Sequence, residues 1–219
     1  MAETADVEFF WDPMCPWAWI TSRWVAEVAR QSSYTVNWRF ICLRLLNEEK
    51  QYGEDFPDHY IAGHGTGLKL LRVAAAIRDA EGPDRMGDLY TQWGGDIHVR
   101  GRRDEIVGQW EAGLGDYLRS VGIEDRYVAE ANNEKWDDVL RAERDEALAL
   151  TGKDVGTPII GYNRDGLKQA FFGPVISEVP PPDRAVELWD AVWALATFKG
   201  FAELKRSLRD RPNTATSLG

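Results

Sequence analysis

The sequence predicts a mixed α/β fold in which an all-helical insertion interrupts a small sheet domain. Three observations predict it. Residues 7–43 read as β-α-β, residues 52–150 carry helical spacing with no convincing alternating strand, and residues 157–196 read as β-β-α. The corresponding division is residues 1–51 and 151–210 for the sheet domain, 52–150 for the insertion and 211–219 for a frayed polar tail.

Val7-Glu8-Phe9-Phe10-Trp11 is a short apolar run stopped by Asp12-Pro13, the pattern of a buried strand ended by turn chemistry. Pro16 suits the first turn of a helix, where its missing N–H loses no hydrogen bond, and Trp17, Ile20, Trp24 and Val28 follow at three- and four-residue steps. A second strand is predicted over Tyr34 to Leu43, with Tyr34, Val36, Trp38, Phe40 and Cys42 on one face and Asn37 and Arg39 on the other. Within the insertion, Leu68, Leu71, Ala74, Ala75 and Ile77 form one apolar stripe. Ile106, Val107, Trp110 and Leu114 form another, behind an N-cap at Asp104. The charges from Glu134 to Glu146 read as a solvated helix face. Strand signals return at Thr157 to Gly161 and at Gln169 to Phe172, joined by turn residues Asn163 to Gly166. Ala185, Leu188, Trp189, Val192, Trp193 and Ala196 then give an amphipathic helix, which Phe201, Leu204 and Leu208 extend past Gly200.

At 219 residues and 44% hydrophobic, the chain can bury a sizeable core, and most of its ten tryptophans, Trp24, Trp189 and Trp193 among them, are expected there. Lys+Arg 26 against Asp+Glu 36 leaves a net charge of −10, which argues against nucleic acid or an anionic membrane as partner. No apolar run reaches about 18 residues, and the acidic start lacks a basic leader, so a cytoplasmic protein is expected. Two cysteines, Cys15 and Cys42, are too few for a disulfide scaffold or a four-cysteine zinc site. His59, His64 and His98 have no zinc-ligand spacing, so no metal is expected. Gly63 to Gly67 (GHGTG) has no preceding strand and no Lys-Ser or Lys-Thr end, which argues against a phosphate loop and for a mobile hinge.

The chemistry points to Cys15, at the predicted strand-to-helix junction. There the free N–H groups and positive end of the helix favour thiolate over thiol. Cys42, on the apolar face of the second strand, reads as an inert buried thiol. Thr157-Pro158 stands at the first position of a strand, where proline is tolerated and a cis bond can turn the preceding carbonyl and amide toward a neighbouring site. Asp12, close to Cys15, reads equally as a proton relay and as a turn residue.

Together these features resemble the thioredoxin superfamily, and within it the DsbA-like branch, whose helical domain interrupts the thioredoxin fold. The likeness is nearest to the actinobacterial mycothiol-dependent nitroreductases. It is carried by Asp12-Pro13-Met14-Cys15-Pro16-Trp17-Ala18-Trp19-Ile20-Thr21-Ser22-Arg23-Trp24, Leu45-Leu46-Asn47-Glu48, Ile97-His98, Asp154-Val155-Gly156-Thr157-Pro158 and Phe171-Phe172-Gly173-Pro174-Val175. The resemblance implies Cys15 as nucleophile within the motif Cys15-Pro16-Trp17-Ala18, and a cis-Pro loop at Thr157 and Pro158. It also implies Trp17, Asn47 and His98 near the substrate cleft, and mycothiol or another low-molecular-weight thiol as electron donor. The implied partners are that thiol and a small electrophilic or disulfide substrate, in a monomer or homodimer. The insertion is expected to cover the active-site face as a lid, with Tyr60, His64, His98 and Trp110 as candidates to reach inward.

Ala18 stands where a Cys-Pro-Trp-Cys motif carries its resolving cysteine, so the usual dithiol cycle cannot close. A monothiol cycle through a mixed disulfide, a non-redox binding homologue and a laboratory variant that traps a mixed disulfide all remain open. So does a thiol-cofactor-dependent isomerase or transferase of the 2-hydroxychromene-2-carboxylate isomerase or kappa glutathione transferase type.

Overall fold

A computed structural model describes residues 5–52, 54–57, 59–164, 166–215 and 217–218. Asp165 of the expected hairpin turn and Thr216 and Gly219 of the tail lie outside these described residues. Strand β1 (Val7–Trp11) runs into α1 (Pro16–Ser32) and β2 (Val36–Phe40). Helices α2 (Leu43–Leu46), α3 (His59–Glu81), α4 (Met86–His98), α5 (Arg103–Gly108), α6 (Gly115–Ser120), α7 (Asp125–Val128) and α8 (Asp137–Thr151) follow. The chain returns through β3 (Ile159–Arg164), β4 (Leu167–Phe172) and α9 (Pro182–Ala196).

The four strands form one sheet in the order β2-β1-β3-β4, with β1 and β2 parallel and the other pairs antiparallel. That is the thioredoxin arrangement, with helices α2 to α8 carried between β2 and β3. The central strand β1 is buried along its whole length, with Glu8 paired to Arg39 at 3.0 Å and Lys168 at 2.7 Å. Trp24 of α1 meets Trp189 of α9 edge to face at 5.8 Å, and its indole N–H donates to Ala185 O at 2.9 Å. Both tryptophans lie in the core, as expected.

Several expectations are corrected. The second strand is shorter than Tyr34 to Leu43. The Asp6 carboxylate accepts the Thr35 backbone N–H at 2.8 Å at one end, and Asp12 Oδ2 draws the Leu43 N–H out of the sheet at 2.8 Å at the other. Cys42 therefore caps α2 rather than lying in a strand, although it is buried as expected.

The GHGTG stretch is neither hinge nor loop. It forms the early turns of α3, with Gly63 to Gly67 all buried. A Cβ on Gly65 would fall 2.8 Å from Trp110 Cε3, and one on Gly67 2.9 Å from Asp12 Oδ1. Close packing against the Cys15 loop thus overrides a helix-propensity penalty of roughly 1 kcal/mol per glycine.

Asp104 sits inside the first turn of α5 instead of capping it, and Leu114 lies beyond that helix with a positive φ of 63°. The charged face of α8 is only partly solvated. Glu143 is buried, accepts the Phe40 N–H at 2.6 Å and pairs with Arg78 at 2.6 Å and Arg39 at 3.2 Å, pinning α8 and α3 to the edge of the sheet. Helix α9 ends at Ala196, and residues 201–210 form no helix, with Leu204 and Leu208 exposed. The described part of the tail is hydrogen-bonded to the rest of the fold. Asn213 N donates to Ser177 O at 2.7 Å, Thr214 Oγ1 to His98 O at 2.6 Å, and Ser217 is buried.

Candidate active site

Cys15 is the N-cap of α1, in extended backbone (φ −82°, ψ 110°), and its Sγ accepts the Ala18 N–H at 3.4 Å. Asp12 shapes the loop that delivers it. Asp12 Oδ1 accepts the Met14 N–H at 2.7 Å while Oδ2 holds Leu43, so both lone-pair faces of a fully buried carboxylate are engaged. From the far side, Thr157 Oγ1 donates to Cys15 Sγ at 2.8 Å. The Thr157-Pro158 peptide is cis, and so is Gly173-Pro174, which sequence reasoning named within a matched motif without assigning it a cis bond. The two prolines are joined through α1 and the sheet edge. Pro158 O accepts Gly173 N–H at 2.8 Å, and Pro174 O accepts Thr21 Oγ1–H at 2.9 Å.

Cys15, Ala18, Thr157 and Pro158 are thus brought together. Pro16 begins α1, and Trp17 beside it is half-buried, with the Arg209 guanidinium 5.6 Å from its ring centroid. The other two expected site residues are occupied elsewhere. Asn47 ends α2 and spends its Nδ2 on Leu43 O at 2.8 Å. His98 lies behind the motif loop, stacked on Trp19 at 5.9 Å, with Nε2 at 2.8 Å from Pro13 O. A carbonyl can only accept, so this His98 tautomer carries its proton on Nε2. Burial pushes its pKa down to about 4, so it supports the loop as a neutral donor.

Two forces compete at the sulfur. Burial raises the Cys15 thiol above its ordinary range, and the nearby Asp12 charge adds to that. The Thr157 hydroxyl and the Ala18 N–H pull it down. Burial outweighs them, so the Cys15 pKa lies above the ordinary thiol value and not below it, as the helix end led one to expect. Asp12 itself is raised to about 6 by burial, against the Leu43 and Met14 N–H groups and the Arg103 charge, which lower it. Cys42 is also a free thiol, and burial drives its pKa strongly upward.

Sequence reasoning missed the cations around this loop. Arg103 Nη2 lies 3.5 Å from the Cβ position of Gly63, and Met14 Cε 3.9 Å from the same point, so α3 and α5 meet over the residue preceding Cys15. His64 is buried beside them, its Nδ1 2.8 Å from Tyr52 OH. No periodicity marks these residues, because each reaches the site from a different helix. Among the described residues, no cluster of His, Cys, Asp and Glu could hold a metal ion, and no helix is long and apolar enough to cross a membrane.

Comparison with known proteins adds three findings. The family model described as "Rv2466c-like: Mycothiol-dependent nitroreductase Rv2466c" matches residues 14–206. A relative from Mycobacterium tuberculosis (strain ATCC 25618 / H37Rv), "Uncharacterized protein Rv2286c", is 29% identical over 200 residues, covering 91% of this chain and 81% of its own. The cytosolic disulfide reductase DsbM from Pseudomonas aeruginosa superposes with a TM-score of 0.51 at 16% identity, over 87% of this chain and 99% of that one. Its structure with GSH also gives 0.51, at 15% identity over 86% and 99%. At such identity these structures speak for the fold.

Proposed function

The chain belongs to the mycothiol-dependent nitroreductase family, and from that premise we propose a monothiol oxidoreductase in which Cys15 works with mycothiol or a similar small thiol and reduces a disulfide or small electrophilic substrate. The observation that carries this reading is the environment of one sulfur. Cys15 Sγ caps a helix between the Ala18 N–H and the Thr157 hydroxyl, and the methyl of Ala18 fills the place of a resolving thiol. Two donors converging on one sulfur fit an atom that becomes anionic as it attacks or leaves. Mycothiol would supply reducing equivalents from outside the fold, and Cys15, Thr157 and Pro158 are the residues that would face it.

In the simplest turnover Cys15 Sγ gives its proton to solvent and bonds to one sulfur of a disulfide. The S–S bond breaks and the other sulfur leaves as a thiolate. A second small thiol from solution then attacks the mixed disulfide, its own proton passing to solvent, and releases Cys15 as thiolate with a new disulfide. Thr157 and Ala18 hold the negative charge on Sγ at both ends of the cycle. A cytoplasmic setting, where small thiols are kept reduced, suits such a cycle.

Intact-mass spectrometry after treatment with oxidant and mycothiol tests it. One adduct on Cys15, absent in Cys15→Ser, is expected; an adduct on Cys42 alone overturns the proposal. The raised Cys15 thiol favours one competing reading, a thiol-cofactor-dependent isomerase or transferase in which Cys15 does not turn over. Turnover retained by Cys15→Ser would select that reading.

A further inference from the structure

Beside the Cys15 loop lies a group of side chains that thiol exchange does not use. In an acidic chain most arginines find a carboxylate, yet neither Arg44 nor Arg103 is ion-paired among the described residues. Arg44, in the first turn of α2, lies with its guanidinium 4.2 Å from the ring centroid of Tyr52, and its Nη1 is buried with no hydrogen-bond partner. Such an atom costs free energy until an acceptor reaches it. Tyr52 OH bonds His64, and Arg103 Nη2 stands over Gly63, the residue before His64. The two cations therefore flank His64 from α2 and α5. Burial, then Arg44, then Arg103 push His64 down to about 4, so it adds no positive charge of its own near neutrality.

The surroundings are aromatic. Tyr60 stands 5.1 Å from His64 and stacks at 5.7 Å on Phe56, which in turn meets Tyr52 at 5.4 Å. Tyr60 is 39% exposed and Arg103 is exposed as well, so the group opens to solvent. Two guanidiniums outside any ion pair, set against an aromatic wall, are a receptor for a flat anion: the forks match a carboxylate and the rings match an arene.

We propose that Arg44 and Arg103, with Tyr52, Tyr60 and His64, form a subsite that binds the carboxylate of an aromatic acid and so places an anionic substrate beside Cys15. This rests on the reading of Cys15 as the reacting group only for the word substrate; the binding site stands on its own residues. It gives the helical insertion a task beyond covering the sulfur, since α3 and α5 supply three of the five side chains. The insertion thereby sets the charge of what can approach the thiol.

Calorimetric titration with benzoate tests the site directly. Wild-type protein is expected to bind it, and Arg44→Gln/Arg103→Gln to bind at least tenfold more weakly. No binding by the wild type up to millimolar benzoate overturns the proposal, as does sulfate binding as tightly as benzoate, which would make this a bare oxyanion site. Alkylation of Cys15 then places the site beside the sulfur. The rate ratio of iodoacetate to iodoacetamide, measured at low salt, is expected to fall several-fold from wild type to the double variant. An unchanged ratio overturns the placement. Arg103→Lys keeps a charge on an exposed side chain and should retain most of the preference, which guards against misfolding of the double variant. If benzoate binds and the ratio falls while mycothiol forms no adduct on Cys15, the subsite stands and the thiol-exchange reading fails.

Discussion

The indole N–H of Trp19 donates to the Ser217 hydroxyl at 2.7 Å, across 198 positions of chain. Ser217 in turn donates to Thr214 O, and Thr214 Oγ1 donates to His98 O, so the C-terminal segment straps α1 to the end of α4 directly behind the Cys15 loop. Ending the chain at Arg211 removes all three contacts and leaves a buried indole N–H without an acceptor, at a cost of roughly 1–3 kcal/mol for that group alone. The expected result is a lower melting temperature, a red-shifted tryptophan emission and faster Cys15 alkylation, because His98 and Pro13 lose their backing. Ser217→Ala should show a smaller shift in the same direction, read by thermal denaturation.

Thr157→Val keeps the shape of the side chain and deletes the donor at 2.8 Å from Cys15 Sγ. Burial and Asp12 then act on the thiol with less opposition, so its pKa rises further. Alkylation near neutral pH should therefore slow several-fold, with the plateau at high pH unchanged. The pH profile of iodoacetamide labelling separates this from a general loss of fold, which would raise labelling at every pH.

What could be read from the chain and what could not divide by distance. Val7–Trp11 and the stripe of α1 are local patterns, and both are observed where periodicity puts them. The pairing of Cys15 with Thr157 was legible because a helix-start cysteine and a strand-start Thr-Pro carry their meaning in their immediate neighbours. Gly63 to Gly67 was misread because glycine is poor in helices. The reason it is tolerated lies in Trp110 and Asp12, which no local window contains. Glu143 looked like one charge among many on α8. Its burial follows from Arg39 and Arg78, on a strand and a helix far away in sequence. Arg44 and Arg103 went unseen for the same reason, since an unpaired cation can be recognised only once its surroundings are known.

Stability should fall as the medium is made acidic, and above the carboxylate range the slope is set mainly by three groups around the Cys15 loop. His64 and His98 have pKa values near 4 in the folded protein against about 6.5 in the unfolded chain, so between those values the unfolded state binds up to two more protons. Asp12 works in the opposite sense: raised to about 6, it keeps a proton in the folded state that the unfolded chain has released. Between pH 6 and 5 the net is about one extra proton on unfolding, a loss of roughly 1.4 kcal/mol per pH unit, and the slope flattens toward pH 4 as both histidines take up a proton in the folded state. Urea denaturation at pH 7, 6, 5 and 4 measures the slope. His98→Gln, which can still donate to Pro13 O, should flatten it, and an unchanged slope in that variant would remove His98 from the account.

Restoring a second thiol by Ala18→Cys tests why the motif works with one. Ala18 is fully buried, and its N–H already bonds Cys15 Sγ at 3.4 Å, so a thiol at position 18 would lie one helical turn from the nucleophile. The sulfur adds volume to a packed site and should cost about 1–3 kcal/mol, unless the loop shifts to admit it. Oxidation of the variant is expected to give an intramolecular disulfide between positions 15 and 18, seen as a loss of two hydrogens in intact mass and as protection of Cys15 from iodoacetamide. Mycothiol adducts on Cys15 should then be transient instead of accumulating, because the new thiol attacks the mixed disulfide faster than a thiol from solution can. If the variant accumulates the adduct as the wild type does, geometry at the helix start, and not the missing sulfur, is what keeps this protein to a single thiol.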